Sequence, residues 1–199
     1  MPRVKQPAVT REEILAAAAQ VFLREGYRGA TMDLVARQVG LHKASLYHHI
    51  RSKESLLIAL CDIALGNSLT NLKKIVDDSS LDPCSKVASA VRQHVLIFFA
   101  QPGASAAFTL FAHQIVDAKA RDWYLGKRLE YAHLLQVLVR DALLANECDD
   151  DPRLVTLAIL GQCNWMQHWY RPSGPSRPDD IVQQFSTLAL RAVGCRAEH

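Results

Sequence analysis

The sequence is poor in the residues that interrupt helices: nine glycines and eight prolines in 199 residues. No run alternates apolar with polar residues. Together these absences argue against a sheet-based fold and favour long helices. Cysteine is scarce as well. The five, at 61, 84, 148, 163 and 195, are odd in number, scattered and never arranged as CxxC, so neither a disulfide framework nor a zinc knuckle is expected. Four of them stand in mostly apolar, helix-like surroundings, where a free thiol behaves as a small hydrophobe, in keeping with a reducing cytoplasm. No apolar stretch approaches the roughly 20 residues that span a bilayer. The opening MPRVKQPAVTREE has no apolar segment of the kind that directs export, so a cytoplasmic protein with no membrane contact is expected. Missing too are GxSxG, HExxH and phosphate-loop motifs, and no Ser, His and Asp fall at the spacing of a triad. Enzyme chemistry and a cofactor are therefore not expected.

Apolar residues make up 49% of the chain, enough for a sizeable core. The net charge is only +3, but it is unevenly spread: residues 1–55 carry +4 and the remainder −1. Three of the eight histidines fall within the same basic end, in GLHKASLYHHIRSKESLL, residues 40–57.

Capping residues mark the helix starts. Thr10 and Glu13 have the spacing of a capping box, and Ile14, Leu15, Ala18, Val21 and Phe22 form the apolar stripe that follows, with Gly26 at its end. Thr31 can cap a short second helix closed by Gly40, and a third runs from about 42 to 49. Ser52 caps a fourth to about residue 76. Further helices are expected at about 83–100, 104–116, 118–146, 152–170 and 181–193, several announced by Asp-Pro pairs. The expectation is an all-α protein of about nine helices. It divides into a flexible basic arm (1–9), an N-terminal unit of short helices (10–55) and a C-terminal unit of longer ones (56–199).

Three short helices with a glycine turn between the second and third make a helix-turn-helix pattern, whose last helix fits the major groove. At about 100° per residue, Leu46 and Ile50 fall on one side of that helix and Ala44 and His48 on the other, flanked by Ser45 and Tyr47, with Lys43 and His49 at the edges. Adjacent imidazoles diverge by the same angle, so His48 and His49 cannot chelate one metal together. A donor-rich face turned toward phosphates and base edges accounts for them instead. His113 and Asp117, four apart, could hold a metal, but a capping role is the simpler reading.

From Thr10 to about Leu57 the sequence resembles, without a gap, the DNA-binding domain of the TetR family of transcriptional regulators. The resemblance rests on Phe22…Gly26-Tyr27…Thr31, Val35-Ala36…Val39-Gly40 and Leu46-Tyr47…Lys53-Glu54. It implies that Thr31, Tyr47 and Lys53 touch phosphates and that His42, Lys43, Ala44, Ser45 and His48 lie near base edges. His42 departs from the small hydroxyl residue usual at that cap, and Ile50 from the usual aromatic. Residues 151–193, with Asn164-Trp165…Trp169-Tyr170-Arg171-Pro172, resemble the last two helices of members that regulate lipid or acyl-CoA catabolism. Those members dimerise through a four-helix bundle. Here the apolar repeats Val155, Ile159, Cys163, Met166, Tyr170 and Ile181, Phe185, Leu188, Ala192 offer a packing face.

Between the C-terminal helices, His94, Phe98, Phe111, His113, Trp123, Tyr124, Arg128, Tyr131, Asn164, Trp165 and His168 suggest a mixed apolar and polar ligand cavity, with Arg128 and Arg171 as candidates for an anionic group. The expected function is a homodimeric repressor. It would bind a palindromic duplex operator and be released by a small effector, of which a lipid-derived acyl or acyl-CoA compound is one candidate. An activator, or a small helical enzyme or lipid carrier using the cavity, are the alternatives.

Overall fold

Every helix start expected from a capping side chain recurs in the computed structural model, which describes residues 9–195. Thr10 Oγ1 accepts from the Glu13 amide (3.2 Å) and Glu13 Oε2 from the Thr10 amide (2.8 Å), opening α1 (Arg11–Gly29). Thr31 caps α2 (Met32–Gln38), Ser52 caps α4 (Lys53–Asp77), and Asp82 and Asp151, each followed by proline, cap α5 (Pro83–Ala100) and α8 (Pro152–Trp169). α3 (Lys43–His49), α6 (Pro102–Ala106), α7 (Ala118–Ala145) and α9 (Pro178–Ala192) complete nine α-helices, with no strand among the described residues. The fold is all-α, as expected. Residues 1–8 of the expected arm lie outside the described residues; Val9 packs on the first core.

Several details differ from expectation. Gly26 does not end α1 but breaks it, with φ +67° and ψ 168°, and one more turn follows. Residues 104–116 are not one helix. α6 gives way to a π-helical turn (Ala107–Phe111) and a 3₁₀ turn (Ala112–Gln114). Within this stretch Thr109 Oγ1 donates to the Ser105 carbonyl (2.8 Å), a back-bond that loosens the regular ladder. α4 is apolar enough, at mean hydropathy 1.4 over 18 of its 25 residues, to meet the length and composition of a membrane span, contrary to expectation. Its apolarity has another cause: like α7, it contributes to two cores. Leu56, Leu57, Leu60 and Leu65 join α1, α2, α3 and α6 in the first, and Leu69, Leu72 and Ile75 join α5, α7, α8 and α9 in the second. The expected boundary at 55/56 falls in its first turn.

The cysteine expectation also needs correction. Cys84 and Cys195 form a disulfide across 111 residues. Linear spacing could not reveal it, because only the packing of α5 along α9 brings the two together. Cys61 and Cys163 are free and buried, and burial pushes both thiols up to about 12, so they are inert hydrophobes.

Leu46 is fully buried and, with Ile50, anchors α3 in the first core. Leu46→Ala should cost about 2–5 kcal/mol, the usual range for emptying a core leucine site; urea denaturation of the variant against the parent measures it.

Candidate nucleic-acid interface and ligand cavity

Burying Leu46 and Ile50 dictates what α3 exposes. His42, Lys43, Ala44, Tyr47, His48 and His49 are exposed and Ser45 is half-buried. His42 starts the helix without a side-chain cap. Lys43 is not idle: its Nζ pairs with Asp33 Oδ2 at 2.9 Å, and that hydrogen bond raises the ammonium's pKa above its ordinary value. Thr31 is exposed, its hydroxyl accepting from the Leu34 amide (3.3 Å).

Lys53, expected to touch phosphates, is engaged within the chain. Its Nζ donates to the carbonyls of Tyr27 (2.8 Å) and Ala30 (2.9 Å) and lies 4.5 Å from the centre of the Tyr27 ring. An ammonium placed on the orphan carbonyls at a helix C-terminus is favoured by the helix dipole, so Lys53 is a fastener between α1 and α4. Glu54, next to it, works in the opposite sense. Its Oε1 accepts from the amides of Val116 (2.6 Å) and Asp117 (2.9 Å), 62 and 63 residues away, at the start of α7. Sequence reading overlooked Glu54 because a partner so distant leaves no local signal.

Deeper in the molecule two hollows adjoin. An inner cavity of about 50 Å³ is lined by residues including Leu65, Ser68, Phe98, Ser105, Cys163 and Gln167. An outer cleft of about 630 Å³ is lined by residues including Leu125, Arg128, Leu129, Gly161, Trp165 and His168. His94, Phe108, Thr109, Tyr131 and Asn164 line both. Of the expected ligand residues, His94, Phe98, Arg128, Tyr131, Asn164, Trp165 and His168 thus border these spaces. Four do not. Phe111 packs edge-on to Phe22 in the first core, Trp123 leans on the same core, Tyr124 is buried with its hydroxyl on the Phe108 carbonyl (3.2 Å), and His113 is exposed. Asp117 caps α7 by accepting from Ala120 (2.8 Å). Arg171 is held by the carbonyls of His168 and Tyr170 and lines neither space. Phe108 and Thr109 were missed; they reach the cavity because the π turn swings them there, which composition does not announce.

The polar residues of the cavity form a chain whose protons can be assigned. Asn164 Oδ1 only accepts, so His94 Nε2 (3.2 Å) donates to it. A neutral imidazole then accepts at Nδ1, and Tyr131 O–H (2.9 Å) is its donor. Burial lowers the His94 pKa and raises that of Tyr131, which keeps both groups uncharged.

On α8 two apolar stripes separate. Ile159 and Met166, with Ile181 of α9, lie inside the chain's own core and are closed to a second subunit, which corrects the expectation for those three. Val155, Tyr170 and Phe185 pack partly against that core, while Leu188 and Ala192 are exposed. The stripe facing outward is Leu154, Leu157, Gly161, Trp165 and Trp169. Its large members are 58%, 52%, 61% and 40% exposed in chain order, an unusually apolar surface for a lone subunit.

A family model described as bacterial regulatory proteins, tetR family, matches residues 14–60, and one described as tetracyclin repressor-like, C-terminal domain, matches residues 80–193. The chain belongs to the TetR family. It is thus a DNA-binding transcriptional regulator and not an enzyme. The HTH-type transcriptional repressor KstR2 of Mycolicibacterium smegmatis is 24% identical over 197 residues, covering 94% of this chain and 92% of that one. The TetR family regulator PfmR of Thermus thermophilus has a solved structure that matches with a TM-score of 0.80 at 26% identity, over 89% of this chain and 97% of its own. AibR, solved in complex with isovaleryl coenzyme A and operator DNA, shares the fold, with a TM-score of 0.77 at 23% identity over 89% and 96% of the two chains.

Two outcomes follow for this TetR-family regulator. His94 is neutral when folded but free to protonate when unfolded, so the unfolded chain takes up the proton first and stability falls as pH drops below about 6.5. Between about pH 7.5 and about pH 5.5 the loss from this group should be about 1 kcal/mol, and denaturant titrations of His94→Gln should lack that share. Glu54→Ala should cost about 1 kcal/mol in stability. It should also speed hydrogen exchange at the Val116 and Asp117 amides, while amides in the middle of α7 keep their protection.

Proposed function

We propose that the protein is a homodimeric, effector-released repressor of the bacterial cytoplasm, binding a palindromic operator through α3 of each subunit. The observation that carries this reading is the division of α3: Leu46 and Ile50 buried, and the residues between and around them left exposed as a row of donors. Residues 10–55 would form the operator-binding unit and 56–199 the effector-binding and dimerising unit. Tyr47 and Thr31 would hold phosphates, which fix register, while His42, Ala44, Ser45 and His48 would approach base edges, with His49 at the rim. Lys43 would exchange Asp33 for a guanine edge. Two such helices would enter successive major grooves about 34 Å apart.

The dimer face proposed is the outward stripe of α8 with Leu188, Ala192 and the exposed edge of Phe185 on α9, in place of the buried Ile159, Met166 and Ile181. Burying this stripe against its symmetry mate removes large apolar side chains from water and makes a four-helix contact self-complementary.

The effector would occupy the paired hollows. Their polar chain is uncharged and deep, whereas Arg128 is exposed at the outer cleft. An elongated ligand with an apolar body, a neutral hydrogen-bonding end and an anionic end suits that order, and a lipid-derived acyl or acyl-CoA compound has those parts. The isovaleryl coenzyme A bound by AibR supports the same class, and the repressor name of KstR2 supports repression as the sign of control. Phe108 and Thr109 would pass the effector's presence along the turns at 107–114 to Val116 and Asp117, and Glu54 would carry it to α4 and α3. Couplings of this kind are typically about 1–3 kcal/mol.

Operator selection from random duplex DNA should return an inverted repeat whose binding weakens steeply with salt, as phosphate neutralisation requires. Tyr47→Ala should weaken that binding about tenfold, the loss of one charge-assisted phosphate contact, with the fold unchanged by circular dichroism. Trp165→Glu should yield monomers in sedimentation and lose operator binding. A flat salt response, or a dimeric Trp165→Glu protein, would refute the reading.

A further inference from the structure

Three helix ends meet at one edge of the second core, and each delivers a cysteine. Cys84 stands in the first turn of α5, its amide donating to Asp82 Oδ1 (2.9 Å). α7 and α9 stop alike. In each, a residue of positive φ turns the chain back, Glu147 (+55°) after α7 and Gly194 (+75°) after α9. The next residue is a cysteine whose amide closes the turn: Cys148 donates to the Leu143 carbonyl (3.0 Å), and Cys195 to that of Leu190 (2.9 Å). Glycine takes this conformation freely; a glutamate held there is uncommon and often marks a site with a task. A side chain on Gly194 would run into Cys148 Sγ, so the third sulfur lies against the backbone beside Cys195. Asn146 Nδ2 lies 3.4 Å from Sγ of both Cys84 and Cys195, and Cys148 Sγ donates to the Asn146 carbonyl (3.5 Å). Three sulfurs thus surround one asparagine; two are joined and Cys148 remains a thiol.

We propose that Cys84, Cys148 and Cys195 form a reversible thiol–disulfide site in which Cys148 is the attacking thiol. Cys148 gives its proton to solvent, and the thiolate attacks Cys195 Sγ. The Cys148–Cys195 bond forms as the Cys84–Cys195 bond breaks, and the electron pair leaves on Cys84 Sγ, which takes a proton from solvent. One disulfide and one thiol stand on each side of the exchange, so no co-reactant is consumed. Cys84 is the better leaving group because it is partly exposed, whereas Cys195 is 5% exposed and its thiolate would be poorly hydrated. Closure from the fully reduced state needs a hydroperoxide. It oxidises the Cys84 thiolate to a sulfenic acid, itself leaving as an alcohol or water, and the Cys195 thiol then displaces water to make the disulfide. A dithiol reverses this, ending as its own disulfide. In the reducing compartment where a DNA-binding regulator works, such bonds are usually transient and redox-sensing. Here the bond would tie the end of α9 to the start of α5 only when thiols are oxidised.

The test uses the full chain, purified reduced and then treated with a small excess of hydrogen peroxide. It should lose one pair of free thiols, and peptide mass mapping should join Cys84 to Cys195. Dithiothreitol should then lower the unfolding midpoint by about 10 °C, as expected for opening a loop this long. In Cys84→Ser the same peroxide should join Cys148 to Cys195. In unsubstituted oxidised protein at about pH 8, rapid alkylation should trap a minor Cys148–Cys195 peptide, a readout that does not depend on how the variant folds. All five thiols free after peroxide would overturn the site. A Cys148 that stays free both in Cys84→Ser and in the alkylation trap would overturn its attacking role.

Discussion

Two adjacent side chains of opposite charge tie the start of α4 to the end of α1 and the start of α7. Lys53 and Glu54 open α4, and each is spent on the unpaired backbone groups of another helix. Lys53 satisfies carbonyls where α1 ends, and Glu54 satisfies amides where α7 begins. Each charge has the sign that the facing helix dipole favours. α4 also carries apolar residues of both cores, so any shift of α7 relative to α4 strains this junction first. The contacts are few and partly exposed, so this junction is held less firmly than the two cores it joins.

The cavity is arranged around neutrality. His94, Tyr131 and Asn164 each satisfy one another without an ion, and burial keeps the imidazole unprotonated. A buried cation there would cost far more than a neutral chain and would demand a charged partner. The one cationic side chain of the outer cleft, Arg128, stays in water. The same division of labour explains why the π turn matters. It breaks the regular ladder just where Phe108 and Thr109 line both hollows, and it leads within a few residues to the amides that Glu54 holds. The two hollows, the turns at 107–114 and the first turn of α4 are therefore linked by consecutive contacts.

Much was legible from the residues alone, because the signals were local. Thr10, Thr31, Ser52, Asp82 and Asp151 cap helices wherever the chain also carries a 3.6-residue apolar repeat, and that repeat in α3 is enough to say which side of it is buried. Several of the failures were cases of one residue pattern serving two partners. α8 is apolar on two sides, and periodicity chose the side that meets its own core, Ile159 and Met166, over Leu157 and Trp165. The carbonyls of Tyr27 and Ala30 that hold Lys53 were not foreseen, because a cage built by residues 27–30 leaves no trace in composition. Phe111, Trp123 and Tyr124 have the character of cavity residues but pack on the first core instead.

What the sequence by itself determined was the set of helices, their caps, the all-α class and the exposed face of α3, since each depends on interactions within about one or two turns of chain. Only the tertiary structure decided which apolar stripe of α8 stays exposed, what Glu54 holds, how His94 stays neutral, and that Cys84, Cys148 and Cys195 converge on Asn146. Those contacts join residues tens to more than a hundred positions apart, and their partners are chosen by how helices pack, which no local repeat encodes.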